Sequence, residues 1–222
     1  MRTVPEAPPY NPDPGLKLEI VYQDDALLAV NKPSGLLSVP GKGDARQTSA
    51  LSLLQADHGW LGVVHRLDMD TSGLLIFART TEMMKALSRA FAESAVDKRY
   101  IAWVEGEPDG DSGQIDLPIG RDWDARPLRK IDRVSGKPSS TIWHKLEVSS
   151  GKTRLELEPL TGRTHQLRLH CAAIGHPILG DRLYGNPATA QRLCLHALSL
   201  RLTHPATGNQ LHLKAELTFS AD

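Results

Sequence analysis

At 222 residues the chain is long enough to bury a sizeable core, and its 40% apolar and 23% charged residues exclude a disordered chain. Its 26 basic residues balance 26 acidic ones, so composition alone does not announce a nucleic-acid binder, although charge can be segregated locally. No apolar run approaches the roughly 20 residues that span a bilayer, and the proline-rich N-terminus has no apolar leader segment, so the expected location is cytoplasmic.

Residues 1–16 carry Pro5, Pro8, Pro9, Pro12 and Pro14 and form an extended arm, because proline fixes φ and lacks the amide donor. Residues 18–21 and 27–30 read as two short strands around a turn at Gln23-Asp24-Asp25, and the breaker cluster Asn31-Lys32-Pro33-Ser34-Gly35 ends the second. Thr48 is the expected N-cap of a short helix that stops near Gly59. A polar loop from His65 to Gly73 precedes an apolar strand at 74–78. Met83, Leu87, Ala90 and Phe91 then share one helix face, and residues 100–104 form a strand buried on both sides. Residues 121–137 hold Arg121, Arg126, Arg129, Lys130, Arg133 and Lys137 against Asp122, Asp124 and Asp132, and read either as a basic patch or as a solvated loop of mixed charge. A hairpin at 140–147 and 153–159 turns on Ser149-Ser150-Gly151. Leu167, Cys171 and Ile174 mark a helix closed by Gly175, and residues 193–202 and 210–218 supply the last strands. Strands outnumber helices and adjoin one another, which predicts an α+β fold with a mainly antiparallel mixed sheet flanked by helices.

Cys171 and Cys194 have no chelating partner and read as buried thiols. Nine histidines invite a metal site, but five residues separate His165 from His170, which is about 140° around a helix and opposite faces of a strand, so no metal is expected. A nucleophile elbow, a P-loop and a dinucleotide fingerprint are all missing, so no nucleotide cofactor finds a cradle. What remains is Asp68, two residues after Arg66 on a glycine-ended loop between apolar strands: a candidate catalytic carboxylate, or else a residue that closes the Thr71-Ser72-Gly73 turn.

His65-Arg66-Leu67-Asp68 followed by Thr71-Ser72-Gly73-Leu74 resembles the signature of the RluA family, the large-subunit rRNA and tRNA class of pseudouridine synthases. Residues 25–36, Lys98-Arg99-Tyr100-Ile101-Ala102, Gly136-Lys137-Pro138, residues 161–170 and residues 175–181 resemble further blocks of that family in the same order. The resemblance implies a catalytic domain over 18–222 behind an arm at 1–17, with no S4 domain. It implies an isomerase with no cofactor, acting on RNA with no membrane and no obligate protein partner. Residues 36–41 and the short length are similar to the branch of the family acting on both tRNA and 23S rRNA.

By the same resemblance Asp68 attacks uridine as nucleophile or base, Arg168 pairs with that carboxylate, and Tyr100 stacks on the uracil and assists proton removal at C5. Arg66 either fills the space vacated by a flipped base or pairs with Asp68 or Asp70. Lys32, Arg121, Arg126, Arg129, Arg133, Lys137 and Arg163 are candidate phosphate contacts, and Leu195 with Leu193 a candidate floor under the uracil. Two alternatives stay open: a non-catalytic RNA-binding protein on the same fold, and a small-molecule hydrolase using Asp68.

Overall fold

The computed structural model describes residues 9–217 and Phe219, so the first eight residues of the arm and Thr218 of the last expected strand lie outside it. In chain order its elements are β1 (Glu19–Gln23), β2 (Leu27–Lys32), α1 (Ala50–His58), β3 (Gly62–Val63), β4 (Ser72–Ala78), α2 (Thr81–Ala92), β5 (Asp97–Glu105) and β6 (Ser112–Asp116). There follow β7 (Ile119–Arg121), β8 (Arg129–Ile131), β9 (Ser140–Ser149), β10 (Lys152–Pro159), α3 (Gln166–Ala173), β11 (Leu195–Thr203) and β12 (Gln210–Lys214). They gather into two compact units, one of residues 9–98 and 196–217, the other of residues 99–195 with Phe219.

In the first unit every residue of β2 and β4 is buried, which is why these strands read as near-continuous apolar runs. They pair antiparallel from Leu27↔Ala78 to Lys32↔Gly73, with β1 on the free edge of β2. On the other side of β4, β3 pairs antiparallel and β11 parallel, and β12 closes antiparallel on β11. The sheet is therefore mixed, as expected. The β4–β11 approach is so close at Gly73 (φ 108°) that a Cβ there would sit 2.3 Å from the Ala197 carbonyl, so only glycine fits. Helix α2 starts at its cap Thr80 and buries Leu87 against Leu74, Ile76 and Leu200, with Met83, Ala90 and Phe91 alongside.

In the second unit β10 lies between β5 and β9, and β6 extends the sheet beyond β9. Strand β10 alternates strictly, burying Thr153, Leu155, Leu157 and Pro159. The β9–β10 turn is the expected one: Ser150 (φ 51°) and Gly151 (φ 73°) both take positive φ, the twist a two-residue hairpin turn requires. The basic stretch is partly ordered, because β7 and β8 form a two-stranded sheet whose Ile119, with Ala125 and Leu128, packs on Leu169 and Tyr184. Irregularly spaced apolar residues among charges gave no periodic signal for it. Both thiols are buried, and burial pushes Cys171 up to about 12.

One local detail departs from expectation and another adds to it. The cap of α1 is Ser49, not Thr48: its Oγ accepts the Ser52 amide at 3.1 Å while the Ser52 hydroxyl accepts the Ser49 amide at 2.8 Å, a reciprocal box. The arm is anchored by Tyr10, whose hydroxyl donates to the Thr48 carbonyl at 2.7 Å and accepts the Leu37 amide at 3.0 Å. Ser49→Ala is expected to cost about 1 kcal/mol of stability in urea titration, and Thr48→Ala less than about 0.5 kcal/mol.

Candidate active site

The Asp68 loop is held from below by the segment that follows β2. Lys32 is fully buried, and its ammonium donates to the carbonyls of Pro33 (2.8 Å), Leu36 (2.7 Å) and Met69 (3.0 Å). An ammonium has three hydrogens, and burial without such acceptors costs several kcal/mol. Lys32 therefore does not offer its charge to a phosphate, which corrects that expectation: it knots the Asn31-Lys32-Pro33-Ser34-Gly35 turn to the residue after Asp68.

The same segment adds more ties. The Gly35 amide donates to the Met69 carbonyl at 2.9 Å, and the Ser34 hydroxyl to the Asp70 carbonyl at 2.6 Å. Buried Ser38 donates to the Leu67 carbonyl at 2.8 Å and accepts the Leu67 amide at 3.0 Å. Residues 67, 69 and 70 are thus fixed on either side of Asp68, and buried Leu67 anchors them from within. Asp68 is half-buried, and its own carbonyl accepts the Thr71 amide at 3.1 Å, so the main chain closes the turn. Arg66 is exposed and makes no ion pair among the described residues.

Both ends of the loop are fixed by imidazoles. His65 stacks on Phe91 (centroids 4.4 Å apart) and its Nε2 accepts the Ile76 amide at 2.9 Å, so it stands in for a strand carbonyl where β3 leaves β4. Burial, with the Lys98 charge, holds its pKa at about 3 against the ordinary 6.5. At the far end, fully buried His196 meets the Ser72 hydroxyl at 2.9 Å through Nδ1 and the Ala215 carbonyl at 3.4 Å through Nε2. A carbonyl only accepts, so Nε2 carries the hydrogen. Sequence reasoning gave these two histidines no role; the place of His65 at the start of the loop was a signal, whereas His196, on β11 and 124 residues from Ser72, carried none.

In the second unit Thr161, Arg163, His165, Gln166, Arg168 and His170 all make polar contacts. Gln166 shapes the turn: its Oε1 accepts from the Thr161 hydroxyl (2.7 Å) and the Arg163 amide (3.0 Å), and its Nε2 donates to the Ser140 carbonyl (2.9 Å). His170 Nε2 donates to the Leu117 carbonyl at 3.0 Å, leaving Nδ1 to accept from Thr141 at 2.9 Å, and burial lowers its pKa. His165 sits in the left-handed region (φ 58°) with Nδ1 at 2.8 Å from the Tyr184 hydroxyl. Arg168, buried on α3, grips Asp181 with two bonds, Nε–Oδ2 at 2.8 Å and Nη2–Oδ1 at 2.6 Å. Tyr100 on β5 is half-buried against the apolar cluster that contains Leu193 and Leu195, both buried.

Arg121, Arg129, Lys130, Lys137 and Arg163 line one groove of about 610 Å³ in this unit, with Trp123 at its edge and Asp132 the acid within it. Four of the candidate phosphate contacts named from the sequence, Arg121, Arg129, Lys137 and Arg163, are brought together there. Arg126 instead lies over the Trp123 ring, 4.7 Å from its centroid.

Because folded His65 stays neutral while the unfolded imidazole takes a proton below its ordinary 6.5, its contribution to stability is complete above that value and is lost as pH falls toward about 3. Between pH 7 and pH 5 the wild type is expected to lose about 2 kcal/mol more than His65→Gln, which can accept the same amide without titrating. Urea titrations at both pH values check this; equal losses would contradict it.

Residues 26–173 match the family model described as RNA pseudouridylate synthase. The chain is 46% identical over 214 residues to the dual-specificity RNA pseudouridine synthase RluA of Escherichia coli (strain K12), covering 95% of this chain and 98% of that one. It is 44% identical, with the same coverage, to the protein of that name from Haemophilus influenzae (strain ATCC 51907 / DSM 11121 / KW20 / Rd). The structure is similar to that of human RNA pseudouridylate synthase domain containing 1, with a TM-score of 0.76 and 30% identity over 93% of this chain and 85% of that one. The polar loop around Asp68, the turn into α3 and these likenesses agree: the chain belongs to the RluA family of RNA pseudouridine synthases.

Proposed function

We propose that this chain isomerises uridine to pseudouridine in structured RNA, with the tRNA anticodon stem-loop and a 23S rRNA hairpin as substrates and the cytoplasm as its place of work. The observation that carries the reading is the Asp68 loop, whose main chain is tied at residues 67, 69 and 70 by Ser38, Gly35, Lys32 and Ser34, so that one half-buried carboxylate is presented on a fixed backbone. Fixing a reacting group in this way removes orientational freedom before the substrate arrives.

The reaction breaks the bond from C1′ to N1, turns the base, forms the bond from C1′ to C5, releases the C5 hydrogen as a proton and leaves N1 protonated. No electrons are gained or lost, so no redox cofactor is called for. Asp68 starts the cleavage as nucleophile or base. Arg168 is the cation that pairs with that carboxylate during the reaction, since a guanidinium offers a carboxylate directed, charge-assisted hydrogen bonds. Tyr100 stacks on the uracil and assists removal of the C5 proton. Arg66, exposed at the loop, offsets the unstacking of the flipped nucleotide by entering the space it leaves. Leu195 belongs to the apolar floor beneath the base. The groove holding Arg129, Lys137 and Arg163 takes backbone phosphates.

Two measurements test this. Tritium release from C5-labelled uridine in an anticodon stem-loop and in a 23S hairpin should be seen with the wild type and fall by roughly 10²–10⁴-fold or more in Asp68→Asn, with RNA binding retained. Binding without release by the wild type would favour a non-catalytic RNA-binding protein. Lys137→Ala and Arg163→Ala should each weaken binding to all RNAs alike and flatten the dependence of log K on log salt by about 0.7–0.9. An unchanged slope would remove the groove from the interface.

A further inference from the structure

Asp181 and Tyr184 lie outside every role so far assigned, yet both touch Arg168. The Asp181 carboxylate is 1% exposed and the Arg168 guanidinium 3%, and their paired bonds fix the plane of the guanidinium as well as its position. This grip takes the Nε hydrogen and one Nη2 hydrogen, so the other three N–H groups are directed away from Asp181 in a set plane. Asp181 Oδ1 also accepts the amides of Leu183 (2.8 Å) and Tyr184 (3.2 Å), which seats the Tyr184 ring 5.5 Å from the guanidinium carbon. The Tyr184 hydroxyl in turn accepts the Arg129 amide at 2.8 Å and meets His165 Nδ1 at 2.8 Å. Arg129 begins β8, and His165 ends the turn carrying Arg163 and Thr164; Arg129, Arg163 and Thr164 all line the basic groove. One chain of contacts, buried at Arg168, Asp181 and Tyr184 and part-buried at its far end, therefore runs from the guanidinium through a single side chain to two walls of the groove.

Stability alone is a poor reason for such a chain, because a buried ion pair is commonly matched or bettered by apolar residues of the same size. We propose that Asp181 and Tyr184 are positioning residues: Asp181 aims the Arg168 guanidinium for the isomerisation, and the Tyr184 hydroxyl holds the cations of the RNA groove in register with it. This rests on the reading of Arg168 given above. A carboxylate on the Nε–Nη2 edge turns a mobile cation into a directed one, and the hydroxyl ties its placement to the surface that receives the phosphates.

The test is single-turnover tritium release at varied RNA concentration for Asp181→Asn, Arg168→Met, the double variant and Tyr184→Phe, each shown to be folded by circular dichroism. Asp181→Asn is expected to lower the rate constant at saturating RNA by roughly 10- to 100-fold with little change in the half-saturating concentration. In the Arg168→Met background the same substitution should change the rate by less than about twofold, because it acts through the missing guanidinium. Tyr184→Phe should raise the half-saturating RNA concentration several-fold, a larger change than that in its rate constant. A wild-type rate in folded Asp181→Asn, losses that multiply in the double variant, or a Tyr184→Phe variant with unchanged half-saturation would overturn the proposal. A wild-type rate in Arg168→Met would instead remove Arg168 from the chemistry and take the proposal with it. Should Asp181→Asn fail to fold, Asp181→Glu, which keeps the charge and displaces it by a methylene, is read in the same way: a reduced rate supports the aim and a wild-type rate overturns it.

Discussion

The buried ammonium of Lys32 is the interaction on which the rest of the candidate site depends. A lysine with no exposed surface must bring acceptors with it, and here they come from both sides: Pro33 and Leu36 from its own turn, Met69 from the loop of Asp68. Two segments far apart in sequence are joined by one charge and cannot shift separately without stranding it. The serines at 34 and 38 and the amide of Gly35 repeat the join around that point. It also explains why the block at 31–38 and the block at 65–73 occur in one chain: the first is the mould for the second.

The two units solve the same problem with different chemistry. In the first, acceptors and donors fix a backbone, and the imidazoles of His65 and His196 finish its ends. In the second, a buried ion pair fixes the side chain of Arg168, and the aromatic ring of Tyr184 covers it. Buried Lys32, His196, Arg168 and Asp181 each meet specific partners, the condition under which polar groups in a core define one arrangement rather than weaken it.

Much of this was legible in the sequence where apolar periodicity was strong. Strands β2, β4, β5 and β10 and helix α2 follow from their patterns, and the turn at Ser150-Gly151 from its chemistry. Asp68 stood out once metal, nucleotide and hydrolase motifs were set aside, and the resemblance carried the family. Lys32 departs from the expectation because a lysine beside a proline turn normally faces water; its position at the end of the run Leu27-Leu28-Ala29-Val30 is the signal that it is buried. Ser49 was passed over for Thr48 because either hydroxyl can cap, and only geometry separates them. The sheet of β7 and β8 was hidden among charges, since its apolar contacts are made to α3 and Tyr184 rather than to neighbours in sequence. Asp181 ends the 175–181 block with no role legible from sequence, because an ion pair across 13 residues leaves no periodic trace.

The most direct test of this account is a pair of numbers for Lys32→Gln: its dissociation constant for the anticodon stem-loop, and its single-turnover rate with that RNA at saturation. If Lys32 pins the Asp68 loop, the rate should fall by roughly 10²-fold while the dissociation constant stays near that of the wild type, since a displacement of about 1 Å suffices for such a loss. A weaker dissociation constant with an undiminished rate would make Lys32 a phosphate contact after all and contradict the account.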